Sequence, residues 1–213
     1  LGLKFTQSVI DLSGGVLFIL LCLTAVSAII LGMGMTTTAV YITVAALIVP
    51  SLIESGIMPI AAHMFAFYFG VVSTITPPVA LASFAGAAIA KSPPMATAVE
   101  SSKVGIAKYI VPFAFVYNPS LLMEGPIIWS IYSLISVLFA YWSMTLGLEG
   151  WFNGKLNVFK RILAILSSVT LLVPPLQNIY GIDGIYFNFL GIFILMIIYH
   201  LQGKLNFNMK VTS

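Results

Sequence analysis

Apolar residues run down this chain in long blocks, and the few charged residues stand between them. Five stretches contain no Asp, Glu, Lys or Arg: Leu12–Ile53 (42 residues), Ser55–Ala90 (36), Gly125–Leu148 (24), Ile162–Ile182 (21) and Gly184–Gly203 (20). A helix needs about 20 apolar residues to cross a hydrocarbon core of about 30 Å. The last three stretches each predict one helix, at about 126–147, 162–182 and 184–203. The first would reach about 63 Å as a single helix, at about 1.5 Å per residue, and must turn back. The second would reach about 54 Å and must break. The predicted order is a hairpin over 12–53, a broken helix over 57–90, a connector over 91–103 and a weaker span over 104–123, where Lys108 can snorkel. Three transmembrane helices then fill 124–213.

Composition sharpens this picture. Of 213 residues only 15 are charged, 60% are hydrophobic and the mean hydropathy is +1.09. A soluble domain of this length would carry about 53 charges. A water-soluble enzyme or a nucleic-acid binder is excluded, and so is a disordered chain, which lacks apolar surface. The fold class is all-α: a polytopic helical membrane protein bathed in membrane lipid. The net charge of +3 belongs to a few loops and reads as topology. Acidic ends occur at Asp11, Glu54, Glu124 and Asp183, and basic segments alternate with them at 91–108, 149–161 and in the tail with Lys204 and Lys210. Lys and Arg in the cytoplasm put the four acidic ends outside. The chain starts at Leu1 with no initiator Met and no recognisable signal peptide, and reads as starting within a longer protein. Cys22, the single cysteine, reads as a small buried hydrophobe.

Two interruptions carry the candidate chemistry. Asp11 and Glu54 lie on one side, so the segment between them either spans twice or is re-entrant. Its tip, Leu31–Ala39, contains Gly32, Gly34, Met35 and Thr36, Thr37 and Thr38 with no charge, which favours a turn within the membrane. Thr38 is expected to open the second arm and present free N–H groups and partial positive charge. The second interruption is Ser73-Thr74-Ile75-Thr76-Pro77-Pro78. The prolines have no N–H, so the carbonyls of Ser73 and Thr74 are expected to be released beside three hydroxyls. Such neutral oxygens suit a hard cation such as sodium, and a half helix starting at Val79 suits an anionic group. Taken alone, an ordinary turn and an ordinary proline kink account for the same residues. Together, paired breaks at the midplane are a mark of secondary transporters.

The remaining residues add less. His63 reads as a hydrogen-bonded helix residue. Trp129, Trp142 and Trp151 read as interface anchors. No acid–base pair or metal cluster lies in the apolar stretches, so no catalytic residue and no enzyme activity are expected, and no metal beyond sodium at the residues of the two breaks. After Glu124 the three helices show no special polar constellation.

Three segments resemble the large membrane (permease) subunit of tripartite ATP-independent periplasmic (TRAP) transporters. They are Leu31-Gly-Met-Gly-Met-Thr-Thr-Thr-Ala-Val-Tyr41, the Gly70–Ala90 segment around Thr76-Pro77-Pro78, and Ile106–Pro119, which is similar to fused permeases of the TAXI-associated type. The resemblance implies the second inverted repeat of an elevator-type transport domain over 1–123, in the C-terminal half of the permease. It implies sodium-coupled import of small organic anions, of the dicarboxylate or amino acid class. It implies three further expectations: a periplasmic solute-binding protein as partner, a small membrane subunit or its fused equivalent, and a bacterial or archaeal inner membrane. Gly32, Gly34 and Met35 match the tip, Thr37 and Thr38 match positions beside the ion, and Ser73, Thr74, Thr76, Pro77 and Pro78 fall in the helix break. Thr36 stands where Pro is expected in the fused subgroup, and Ala80 where many relatives carry Gly. Sodium is the only coupling species implied, and no cofactor is. An exchanger of similar architecture without a binding protein, or a non-transporting membrane scaffold, fits the same paired breaks.

Overall fold

The computed structural model describes residues 2–179 and 181–211, in two compact units, Leu1–Leu122 and Met123–Ser213. Apart from a two-residue antiparallel ladder, Asn178–Ile179 with Ile182–Asp183, the described regular structure is helical.

In the first unit, α1 (Gly2–Ser13) leads into a helical hairpin, α2 (Leu17–Gly32) and α3 (Thr37–Leu47), followed by the short α4 (Val49–Glu54). The interrupted helix follows as α5 (Pro59–Val72) and α6 (Leu81–Ala90). Then come α7 (Pro94–Val104), α8 (Ala107–Tyr117) and a 3₁₀ turn over Pro119–Leu122. Helix α5 packs against α2, α3, α4 and α8. Its Phe65 is fully buried, with ring centroids 4.8 Å from Phe69 and 5.4 Å from Phe113 of α8. Val40, Val44, Ile48 and Leu52 complete this core, each at 0% exposure. The hairpin arms are short: α3 has 11 residues and so rises about 17 Å. A single span over 104–123 is not found. Gly105 turns the chain between α7 and α8, Pro112 lies inside α8, and Asn118 at φ −129°, ψ 83° ends it. The expected connector over 91–103 is itself mostly helix α7.

In the second unit, α9 (Ile127–Glu149), α10 (Val158–Leu172) and α11 (Gly184–Val211) pack as a three-helix group. Among the described residues, α9 and the Gly184–Gln202 part of α11 are the helices long and apolar enough to cross a membrane. The predicted span over 162–182 is corrected. Helix α10 starts four residues earlier and has 15 residues, because Pro174 and Pro175 cannot donate to the carbonyls of Thr170 and Leu171. Asn188 of α11 supplies donors in their place, its Nδ2 donating to Thr170 O (3.0 Å) and Val173 O (3.0 Å). Ser136 Oγ of α9 donates to Leu171 O at 2.7 Å. Two more serines cross between helices, Ser143 Oγ to Ala164 O and Ser167 Oγ to Gly191 O, both at 2.8 Å. Arg161, expected as a loop charge, lies in α10 and donates to Gly147 O (2.8 Å) and Leu148 O (2.7 Å). It closes the C-terminus of α9, where a cation is favoured. The three helices are therefore not generic. They are joined by small residues and hydroxyl–carbonyl bonds, a mode suited to a lipid environment.

Candidate functional site

The tip of the hairpin and the break in the second helix meet. Gly32, the last residue of α2, is buried against the end of α5. A Cβ built on Gly32 would sit 2.5 Å from Ser73 Oγ, 2.9 Å from Ser73 Cβ and 3.1 Å from Gly70 O. One turn back along α5, a Cβ on Gly70 would sit 2.6 Å from Val40 Cγ1 of α3. Both arms of the hairpin thus approach α5 at glycines, and closeness that no side chain allows fixes the tip over the break. Gly34 acts through its backbone instead. It faces open space but holds φ +78°, the left-handed conformation that turns the chain into α3. Met35 packs beside the core of the unit.

The break is a run of tight turns. Thr74, Ile75 and Thr76 N–H groups donate three residues back, to Val71, Val72 and Ser73 carbonyls at 3.1, 3.0 and 3.3 Å. The Pro77–Pro78 peptide is cis. Helix α6 begins at Leu81 rather than Val79, with Ala80 as its first flanking residue. Ala82 N–H donates back across the break to Thr74 O at 3.0 Å. The carbonyls of Ser73 and Thr74 are therefore not released, in contrast to the expectation from the sequence. Each accepts one N–H and keeps one of its two lone pairs. The same bond occupies one of the N–H groups at the start of α6, so the two half-helix ends satisfy each other in part.

The hydroxyls are oriented just as closely. Ser73 Oγ donates to Gly70 O (2.6 Å), Thr74 Oγ1 to Val71 O (2.8 Å) and Thr76 Oγ1 to Val72 O (2.7 Å). Their hydrogens point to the backbone, and their lone pairs point away from it. Ser73 is fully buried, Thr74, Thr76 and Pro77 are half-buried, and Pro78 is exposed. On the tip, α3 starts at Thr37, one residue before the expected Thr38, and Thr36 gives no side-chain cap. Thr36, Thr37 and Thr38 are all exposed. The structure brings Gly32 to Ser73 and Gly70, whereas Thr37 and Thr38 stand at an uncapped helix N-terminus with open surroundings.

Several participants carry no local sequence signal. Ser102 and Tyr109, from α7 and α8, bond to Ile75 and Thr76 of the break. Ser83 of α6 is buried, and its Oγ has no partner among the described residues. Away from the tip, Tyr41 Oη lies 3.0 Å from His63 Nδ1 and ties α3 to α5. Among the described residues, no group of three or more His, Cys, Asp or Glu could hold a metal ion.

The model of the family described as "Tripartite ATP-independent periplasmic transporter, DctM component" matches residues 1–130. No curated relative and no solved structure matches the chain. The match takes in the hairpin, the broken helix, α7, α8 and the first turn of α9. The chain, a helical membrane protein with a glycine-seated hairpin tip on an interrupted helix, belongs to the family of the DctM component of tripartite ATP-independent periplasmic transporters.

Proposed function

We propose that this chain carries part of a sodium-coupled transport site, built where the hairpin tip meets the break between α5 and α6. The observation that carries the reading is the seating of Gly32 against Ser73 and Gly70, which brings the two interruptions together with no formal charge between them. Neutral oxygens surround the contact. Thr74 and Thr76 hydroxyls and the Ser73 and Thr74 carbonyls keep lone pairs that a hard cation can use. The short arms of the hairpin support a re-entrant turn rather than two full crossings. Residues 1–123 then act as one repeat of an elevator-type transport domain, with the helices of 124–213 as scaffold.

The anion end of the site belongs to the tip. The start of α6 already donates an N–H to Thr74 O, while the start of α3 is uncapped and exposed beside Thr37 and Thr38. An uncapped helix N-terminus stabilises a carboxylate. This suits a small organic anion, and the resemblance to the permease family implies the dicarboxylate or amino acid class. The anion is handed over by a periplasmic solute-binding protein, with a small membrane subunit or fused equivalent as the second membrane partner, in a bacterial or archaeal inner membrane.

The test uses the complete transporter, purified and reconstituted. Radioactive sodium binding is measured directly, and uptake of radiolabelled succinate and glutamate is followed with and without a sodium gradient. Sodium binding and sodium-dependent uptake of at least one probe are expected, with both reduced at least tenfold by Thr76→Val. Uptake that persists without sodium, or sodium binding untouched by Thr76→Val, overturns the proposal.

A further inference from the structure

Helix α7, the turn at Gly105 and helix α8 each place one residue on the break. Ser102 Oγ donates to Ile75 O at 3.0 Å. Gly105 lies so close that a Cβ there would sit 2.7 Å from Ile75 Cδ1. Tyr109 Oη lies 2.7 Å from Thr76 Oγ1 and 3.3 Å from Ser102 Oγ. The sequence alone assigns residues 91–103 to a surface connector, yet its far end grips the residues just before Pro77.

Counting hydrogens gives this grip a direction. Three hydroxyls bring three hydrogens. The Thr76 hydrogen goes to Val72 O at 2.7 Å, and the Ser102 hydrogen goes to Ile75 O at 3.0 Å. Only the Tyr109 hydrogen is left, and Thr76 Oγ1 is the nearer of its two acceptors. With the Thr76 hydrogen on Val72 O, Tyr109 donates to Thr76, and the three hydrogens make bonds of 2.7, 2.7 and 3.0 Å. The reverse order, Thr76 to Tyr109 and Tyr109 to Ser102, replaces one of the short bonds with one of 3.3 Å, so the geometry favours the first set. Thr76 Oγ1 then has its hydrogen fixed on one side and one lone pair engaged by the phenol, which leaves a single lone pair with a set direction.

We infer that Tyr109 is a positioning residue for the cation site: its phenol holds the Thr76 hydroxyl so that the one free lone pair is presented at the break. The inference rests on the proposed sodium site, and it concerns how that site is held rather than whether it exists. Tyr109 itself does not touch the ion. Ser102 holds the neighbouring carbonyl and leaves the Tyr109–Thr76 bond intact.

The experiment measures radioactive sodium binding to the purified complete transporter in detergent, with the sodium ion alone as probe. Tyr109→Phe, which removes one hydroxyl and keeps the ring, raises the sodium concentration for half-saturation about three- to tenfold, as expected for one lost hydrogen bond. The number of sites and the amount of inserted protein stay the same. Thr76→Ser, which keeps the acceptor, binds sodium like the wild type, and Tyr109→Phe in that background shifts it by the same factor. Ser102→Ala leaves half-saturation within about twofold. In a Thr76→Val background, Tyr109→Phe adds no further shift, because the two act through one bond.

The opposing results are equally plain. A further shift in the Thr76→Val background means that Tyr109 contacts the ion directly, and overturns the inference. So does a Ser102→Ala shift as large as that of Tyr109→Phe, which would mark general packing. A Tyr109→Phe protein that fails to insert overturns it too, since a positioning role leaves insertion intact. Sodium binding lost in Thr76→Val but indifferent to Tyr109→Phe overturns this inference alone. A wild-type transporter that binds no sodium overturns the proposed function, and this inference with it.

Discussion

Replacing Gly32 by alanine is the most direct test of the contact on which the site depends. In isolation the change favours the helix: Gly32 ends α2 with ordinary helical geometry, and alanine is better there by about 1 kcal/mol. The surroundings oppose it. The new methyl would lie 2.5 Å from Ser73 Oγ, 2.9 Å from Ser73 Cβ and 3.1 Å from Gly70 O. Two of these are backbone or near-backbone atoms of one packed helix, so relief requires the tip to lift. Overpacking of this kind costs about 1–3 kcal/mol. Turning Ser73 aside also breaks its 2.6 Å bond to Gly70 O, for about 1 kcal/mol more. The balance is a net loss of about 1–3 kcal/mol. At about 2–4 °C per kcal/mol, the melting temperature of the purified transporter falls by about 2–12 °C. On the proposed function, sodium-dependent uptake falls with it, because the tip no longer seats on the break.

A second substitution shows whether the clash is the cause. Ser73→Gly removes both Ser73 atoms that crowd the new methyl. The double variant Gly32→Ala/Ser73→Gly should therefore be less destabilised than the sum of the single changes, by about 1–2 kcal/mol. Gly34 provides the contrast two residues away. It has open space but φ +78°, so Gly34→Ala costs about 1–2 kcal/mol through the backbone alone, and Gly34→Asn recovers most of this. Asparagine at Gly32 should be worse than alanine, since its difficulty is steric. A Gly32→Ala protein with wild-type melting and uptake, or a double variant showing no recovery, would refute the seating of the tip on α5.

Two further outcomes concern parts outside the contact. Asn188→Leu leaves the carbonyls of Thr170 and Val173 without their side-chain donor beside Pro174 and Pro175, and costs about 1–3 kcal/mol, read as a lower melting temperature with uptake per folded molecule unchanged. Lys103→Met breaks the 2.9 Å pair with Glu100, but both side chains are 62% exposed, so stability should change by less than about 0.5 kcal/mol, and by less still at high salt.

What the sequence revealed depended on whether the cause was local. The hairpin and the interrupted helix were legible because their causes are nearby in the chain: charge-free stretches too long for one helix, glycines at the tip and two prolines in the second span. The motifs at the tip and the break also pointed to the right family. The ends of the helices were less legible. Counting charges placed Lys160 and Arg161 outside a helix, yet both lie within α10, where the Arg161 guanidinium closes the end of α9. Pro174 and Pro175 were present in the sequence, but a count of apolar residues passed over them. The serines of α9 were visible too, while the carbonyl each one reaches lies on another helix.

The break itself shows the limit most clearly. Removing a proline N–H frees a carbonyl within its own helix, and sequence reasoning stops there. In the folded chain Thr74 O finds Ala82 N–H eight residues on, Ile75 O finds Ser102 from 27 residues away and Thr76 Oγ1 finds Tyr109 from 33. These partners change the chemistry in a definite direction. They remove the surplus of bare acceptors that would bind any cation in any geometry, and leave a small number of lone pairs whose directions are set by neighbours. For the proposed cation site that economy matters: an ion held by few, well-aimed oxygens is released more readily than one held in a cage of unsatisfied carbonyls. The start of α6, already engaged by Thr74 O, cannot offer a full set of donors to an anion, so in the proposed site the cation and the anion fall at different ends of the same contact.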